Sequence, residues 1–261
     1  MAFAQTADRR PIAGAVATLG VSDRVAFLRK TYGLLGVALV GFAVLTGGLM
    51  VYATGFSAAF TRWAFQGFDW LLVIGLFMII GVVAQKLAQS QTSPALQYLG
   101  LGISVAAEAI LLQPMLWILM IKFGGHGSML FGPNAHVAMS AQATSILLQA
   151  VMITLAIFIG LTAVVFVTKK DFSFLRGVLT ICTFGVLGVI VASLLFGFSL
   201  GAVFSGFVIL LMAGYILYQT SLVMSYFPPS GYVAAALMLF STIATLFWYV
   251  LRISEIGRAH V

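Results

Sequence analysis

Few side chains in this 261-residue sequence can do acid–base chemistry, and one of them stands where an acid is out of place. Glu108 lies in Ile103-Ser104-Val105-Ala106-Ala107-Glu108-Ala109-Ile110-Leu111-Leu112, fourteen residues from both Pro94 and Lys122. Along a helix that is about 21 Å from either end, close to the middle of a lipid bilayer. An acid at that depth costs about 2.5–3.5 kcal/mol on insertion scales, and such acids mark ion or proton pathways by default. The plainer alternative is a packing acid hydrogen-bonded to Gln219, Gln149 or Thr242. Six residues on, Pro114 removes one helix hydrogen bond, frees the carbonyl of Ile110 and is expected to kink the helix close to Glu108.

Other combinations are weaker. His126 and His136, ten residues apart in a glycine-rich loop without cysteine or a nearby acid, are a poor metal signal. Gly197-Phe198-Ser199-Leu200-Gly201 matches the nucleophile-elbow spacing, but no strand precedes it and no His or Asp is placed to activate Ser199. The small residues Ser193, Gly197, Gly201 and Ser205 are expected instead to allow close helix approach. Cys182 is the single cysteine, which excludes a disulfide framework and a multi-cysteine metal site. No nucleophile, base and metal are assembled, so no catalytic residue, metal ligand or cofactor is assigned, and the chain reads as a non-enzyme.

An acid at mid-depth needs helices to hold it. Hydrophobic residues make up 62% of the chain and charged residues 7%, against about 45–50% and 25% in soluble domains. Those proportions exclude a soluble domain, a disordered chain and a porin-like barrel. A net charge of +7 carried by so few charges points to cytoplasmic loops rather than nucleic acid. No charge falls between Lys30 and Arg62, between Lys122 and Lys169, or from Gly177 to Leu251. At about 20 residues per crossing, the last stretch holds three spans.

Seven helical segments follow: Thr31–Thr54, Asp69–Leu87, Pro94–Met120, Ala143–Val167, Phe174–Phe198, Ala202–Tyr226 and Gly231–Arg252. Pro94 suits a first helical turn, Asp171 can cap the fifth segment, and Pro228-Pro229-Ser230-Gly231 separates the last two. The expected organisation is a tail over residues 1–30 with an interfacial helix, a helical bundle over 31–253 and a short tail over 254–261. Trp63, Trp70, Trp248 and Tyr249 fit an interfacial aromatic belt. With the N-terminus inside, the inner segments hold Arg9, Arg10, Arg24, Arg29, Lys30, Lys86, Lys169, Lys170 and Arg176, and the outer loops only Arg62 and Lys122. Arg252 and Arg258 fit better inside, yet seven full crossings put them outside. Either the last segment is re-entrant or these two are tolerated.

Three stretches carry a resemblance. Phe27-Leu28-Arg29-Lys30-Thr31-Tyr32-Gly33-Leu34-Leu35 precedes and opens the first span, and Thr168-Lys169-Lys170-Asp171-Phe172-Ser173-Phe174-Leu175 joins the fourth and fifth. Gly214-Tyr215-Ile216-Leu217-Tyr218-Gln219-Thr220, Tyr232-Val233-Ala234-Ala235-Ala236-Leu237 and Leu246-Phe247-Trp248-Tyr249-Val250-Leu251-Arg252-Ile253 mark the last two spans. In order and spacing they resemble the Bax inhibitor-1 family (transmembrane Bax-inhibitor-motif proteins), including its bacterial YccA-like branch. The resemblance implies six helices around a seventh in a plasma or organellar membrane. It also implies passive, pH-sensitive calcium leak, links to stress and cell death and, in bacteria, modulation of a membrane protease. In the calcium-leak members, two aspartates on the last two spans share a proton. Here the matching positions are Gln219 and Thr242, so that dyad is absent.

Gln219, nine residues before Pro228, and Thr242, twelve after Ser230, lie about 13 and 18 Å from the same turn. Antiparallel neighbours would bring them together, in an interhelical hydrogen bond or an ion contact. Two functions stay open: a passive cation leak or exchanger for calcium or protons, with Glu108, Gln219 and Thr242 as pathway candidates, or a non-conducting regulator of a membrane protease or stress pathway. The expected partners are the lipid bilayer, calcium or protons and, for the second function, the protease. The location that follows is a bacterial inner membrane with the N-terminus in the cytoplasm.

Overall fold

The structure, a computed structural model, describes residues 15–18, 20–66, 69–90, 93–123 and 140–258. Among them there is no strand. Eight α-helices follow one another: α1 (Val21–Tyr52), α2 (Thr54–Ala64), α3 (Asp69–Ala88), α4 (Pro94–Phe123), α5 (Ala141–Thr168), α6 (Leu175–Phe196), α7 (Ala202–Ser225) and α8 (Tyr232–Arg258). All but α2 are long and apolar enough to cross a membrane. Helices are what a lipid solvent allows, since each satisfies its own backbone polar groups.

Which helix sits in the middle follows from the faces they bury. On α1 the buried residues Phe27, Thr31, Leu35, Ala38, Phe42, Thr46 and Met50 recur every three or four positions, one stripe on an otherwise lipid-facing helix. On α8 residues 233–237 are buried without a break, and 72% of its most apolar window is covered, against 6% for α6. A helix apolar on all sides belongs in the core. It packs against α1, α3, α4, α5 and α7, while α6 leans on α7 through Leu179, Val186, Val208 and Leu211. Next most enclosed is α4, at 61%.

The N-terminal end of α8 meets Lys30 of α1, whose ammonium lies 5.6 Å from the Tyr232 ring centre, and Tyr98 of α4, 3.1 Å from the Tyr232 hydroxyl. At its other end the Arg252 guanidinium donates to the carbonyl of Leu200, in the turn between α6 and α7, at 2.8 Å and lies over the Trp248 ring. One continuous helix thus joins opposite faces of the bundle. Of the two sequence alternatives, the re-entrant one is excluded: a carbonyl and an aromatic face receive Arg252, and Ser145 and Gln149 accept from Arg258.

Residues 21–30 form a helix that runs straight on into the first span. Two other expectations change. The stretch after the first span is not simply a loop: Ser57, Ala58, Thr61 and Ala64 form the buried face of α2, which packs on α4. Asp171 does not cap α6, whose N-cap is Phe174 without a side-chain bond. Two helix ends need left-handed backbone: Gly197 (φ 73°) closes α6 and Lys169 (φ 50°) closes α5. At Gly197 and Gly201 a Cβ would touch nothing, so the two glycines serve the turn, while Ser193 and Ser205 are buried. Close packing occurs at Gly100, where a Cβ would come 2.5 Å from the Ala84 carbonyl oxygen and 2.8 Å from the Ala88 nitrogen.

Candidate functional site

Four buried polar residues of α4 fall in two pairs. Ser104 and Glu108, and Gln113 and Trp117, are each four positions apart, but Gln113 lies about 140° round the helix from Glu108, so the two pairs occupy different faces. Glu108 is 8% exposed and takes no hydrogen bond from any described residue. None of its three expected partners reaches it. Gln149 accepts from Arg258, and Gln219 and Thr242 bond each other. Among the described residues no other acid lies in the middle of a span, and no group of three His, Cys, Asp or Glu side chains gathers to hold a metal.

The Thr242 hydroxyl lies 2.9 Å from Oε1 of Gln219 and 3.2 Å from the Met238 carbonyl. It has one proton to give, so a short bond across α7 and α8 competes with one back to its own helix. Next on α8, Ser241 stands 3.3 Å from Ser104 of α4, hydroxyl to hydroxyl. Gln219, Thr242, Ser241 and Ser104 therefore form a layer running from α7 through α8 to α4. Glu108 lies one turn beyond Ser104, about 6 Å deeper.

On the other side of Glu108 lies a network that the sequence did not disclose. The Trp117 indole N–H donates to Ser57 Oγ at 2.8 Å, and Ser57 donates to Gln113 Oε1 at 2.7 Å. Gln113 Nε2 donates to its own helix at Ala109, 2.9 Å, and to the Thr46 carbonyl of α1, 3.4 Å. Three helices are tied together with every bond fully buried. Pro114 stands inside an unbroken α4; lacking N–H, it leaves the Ile110 carbonyl without its helical donor, between Glu108 and Gln113. Ser57 could have been singled out from the small-residue period of α2, whereas its pairing with Gln113, 56 residues away, has no local signal.

The basic loop between α5 and α6 is clasped to the end of α7. Asp171 Oδ1 accepts from the Ser173 N–H at 2.8 Å and from Ser221 Oγ at 3.3 Å, and Oδ2 accepts from the Tyr226 hydroxyl at 2.9 Å. Burial works against ionising Asp171, but these donors outweigh it and hold its carboxyl below the usual aspartate range. Tyr226 moves upward, through its own burial and through donating to Asp171. Ser199 lies exposed in the turn between α6 and α7. His126 and His136 lie outside the described residues.

Residues 24–259 match the family model described as "Inhibitor of apoptosis-promoting Bax1". Bax inhibitor 1 of Schizosaccharomyces pombe is 29% identical over 243 residues, covering 91% of this chain and 79% of that protein. The Golgi anti-apoptotic protein of Vaccinia virus (strain Lister) is 27% identical over 247 residues, covering 93% and 90%. Protein lifeguard 4 of Mus musculus is 25% identical over 245 residues, covering 92% and 89%. No solved structure matches the chain. With seven membrane-length helices and a family match over nearly its whole length, the chain belongs to the Bax inhibitor-1 family and is a multi-pass integral membrane protein.

Proposed function

We propose that this protein is a passive cation leak or exchanger, for protons or calcium, in which Glu108 is the titrating group. The observation that carries this reading is a carboxyl at the middle of the second most enclosed span, without a hydrogen-bond partner among the described residues. Neutral polar groups lie beyond it in both directions along α4, on two faces: the Ser104, Ser241, Thr242 and Gln219 layer on the α8 side, and Gln113 and Ser57 on the α1 and α2 side. Oxygens near the path of a proton or cation lower its cost of leaving water. Without the paired aspartates that the family resemblance leads one to expect, Gln219 and Thr242 supply dipoles only, and a charge can be taken up at Glu108 alone.

A second reading is favoured by the relatives' names, two of which speak of Bax inhibition or anti-apoptosis. In it the protein conducts nothing and regulates a stress or cell-death pathway, or a membrane protease, by contact. Purified protein in liposomes separates the two. Proton or calcium flux above that of empty liposomes, reduced at least tenfold by Glu108→Gln, supports the leak. Flux no greater than in empty liposomes rejects it in favour of the regulator.

For orientation we infer a cytoplasmic N-terminus. Arg24, Arg29, Lys30, Lys86, Lys169, Lys170 and Arg176 lie at the face where α1 begins, and Arg62, Lys122, Arg252 and Arg258 at the other. The positive-inside rule places the first set in the cytoplasm; residence in a bacterial inner membrane rests on the family resemblance. Reporter fusions after Phe227 and after Leu200 should give opposite localisation, the first cytoplasmic.

A further inference from the structure

At the α1-start face three cations from two separate segments converge on one small hollow. Arg24 of α1 and Lys169 and Lys170 beyond α5 line a cavity of about 80 Å³, closed by Val165 and by Ser221, Met224 and Ser225 in the last turns of α7. Among the described residues none of the three cations forms an ion pair. Asp171 is next in sequence, but both its oxygens are bonded to the loop and α7, and it does not line the hollow. Asp23 precedes Arg24, and neighbours in a helix do not face each other.

The backbone points the same way. Lys169 stands in the left-handed region at a helix C-cap, where glycine is the usual residue. A lysine held there against its conformational preference turns the chain so that two consecutive lysines reach one cavity. Its depth is also informative: Val165 is three residues from the end of α5 and Ser225 is the last residue of α7. Where spans end, lipid headgroups begin.

We propose that this hollow is a binding site for a phosphate group, that of an anionic lipid headgroup or free phosphate. Three positive charges lining one hollow repel one another until an anion sits between them, and a tetrahedral oxyanion there can also accept from the Ser225 hydroxyl. The open side lets the rest of a lipid continue along α5 and α7.

The full chain in detergent tests this by native mass spectrometry and thermal unfolding with phosphatidylglycerol. The variant is the triple change Arg24→Gln, Lys169→Gln, Lys170→Gln. Its control has the same net charge, Arg29→Gln, Lys86→Gln, Arg176→Gln, with every change outside the hollow. Retention of phosphatidylglycerol should fall about fivefold for each pocket cation removed, with the lipid-induced rise in unfolding temperature lost, while the control stays close to wild type. Millimolar inorganic phosphate that displaces the lipid identifies free phosphate as an occupant; no displacement identifies the lipid. Equal loss in both triple variants, or none in either, overturns the proposal.

Discussion

Thr242 and Gln219 are the point where single side chains are most informative. Their bond is buried and spans two helices, and membrane measurements place such bonds at about 0.6–2 kcal/mol. Thr242→Val should lower stability in detergent by that amount; no change would mean that the Met238 carbonyl takes the proton instead. Ser57→Ala cuts two buried bonds at once, to Gln113 Oε1 and from the Trp117 N–H. A loss of about 2–4 kcal/mol is expected in thermal unfolding. Asp171 carries a pH dependence whose sign is fixed. Its folded carboxyl is the more acidic, so its contribution is present above the ordinary aspartate value of about 4 and is lost as pH falls through the lower folded one. The stability gap to Asp171→Asn, about 1 kcal/mol after solvent screening, should therefore close on acidification, and a gap independent of pH would refute the assignment. Glu108 and the Gln219–Thr242 pair were legible in the sequence because depth follows from residue counting. The Ser57–Gln113 bond was not, because nothing local specifies which helices touch.

At the scale of elements, the charges place the spans. Seven segments bounded by charged or proline-containing turns, or by the glycine turn between the fifth and sixth, match the seven long helices, because a charge inside lipid costs more than any local propensity can supply. Hidden by the same logic was α2: eleven residues are too short to cross, and its small side chains give no hydropathy peak. The α3–α4 pair rests on Gly100, whose missing side chain lets two backbones meet. Gly100→Ala pushes a methyl against main chain, which cannot rotate away. A cost of about 1–3 kcal/mol is expected in unfolding assays, while Gly102→Ala on the same helix, with open space around it, should be neutral or stabilising.

In the whole molecule α1, α3, α4, α5 and α7 pack around α8, α6 leans on α7, and α4 carries the buried polar groups. The resemblance leads one to expect six helices around a seventh; that the seventh crosses completely came from Arg252 meeting Leu200 at the far face. This arrangement leaves one carboxyl in the middle of an apolar bundle, and the account stands on that group. The direct measurement is proton flux into liposomes at a series of internal pH values, with wild type and Glu108→Gln reconstituted side by side. The wild type should show a single-step pH dependence and the variant a low, flat profile. Superimposable profiles for the two proteins would contradict the role of Glu108.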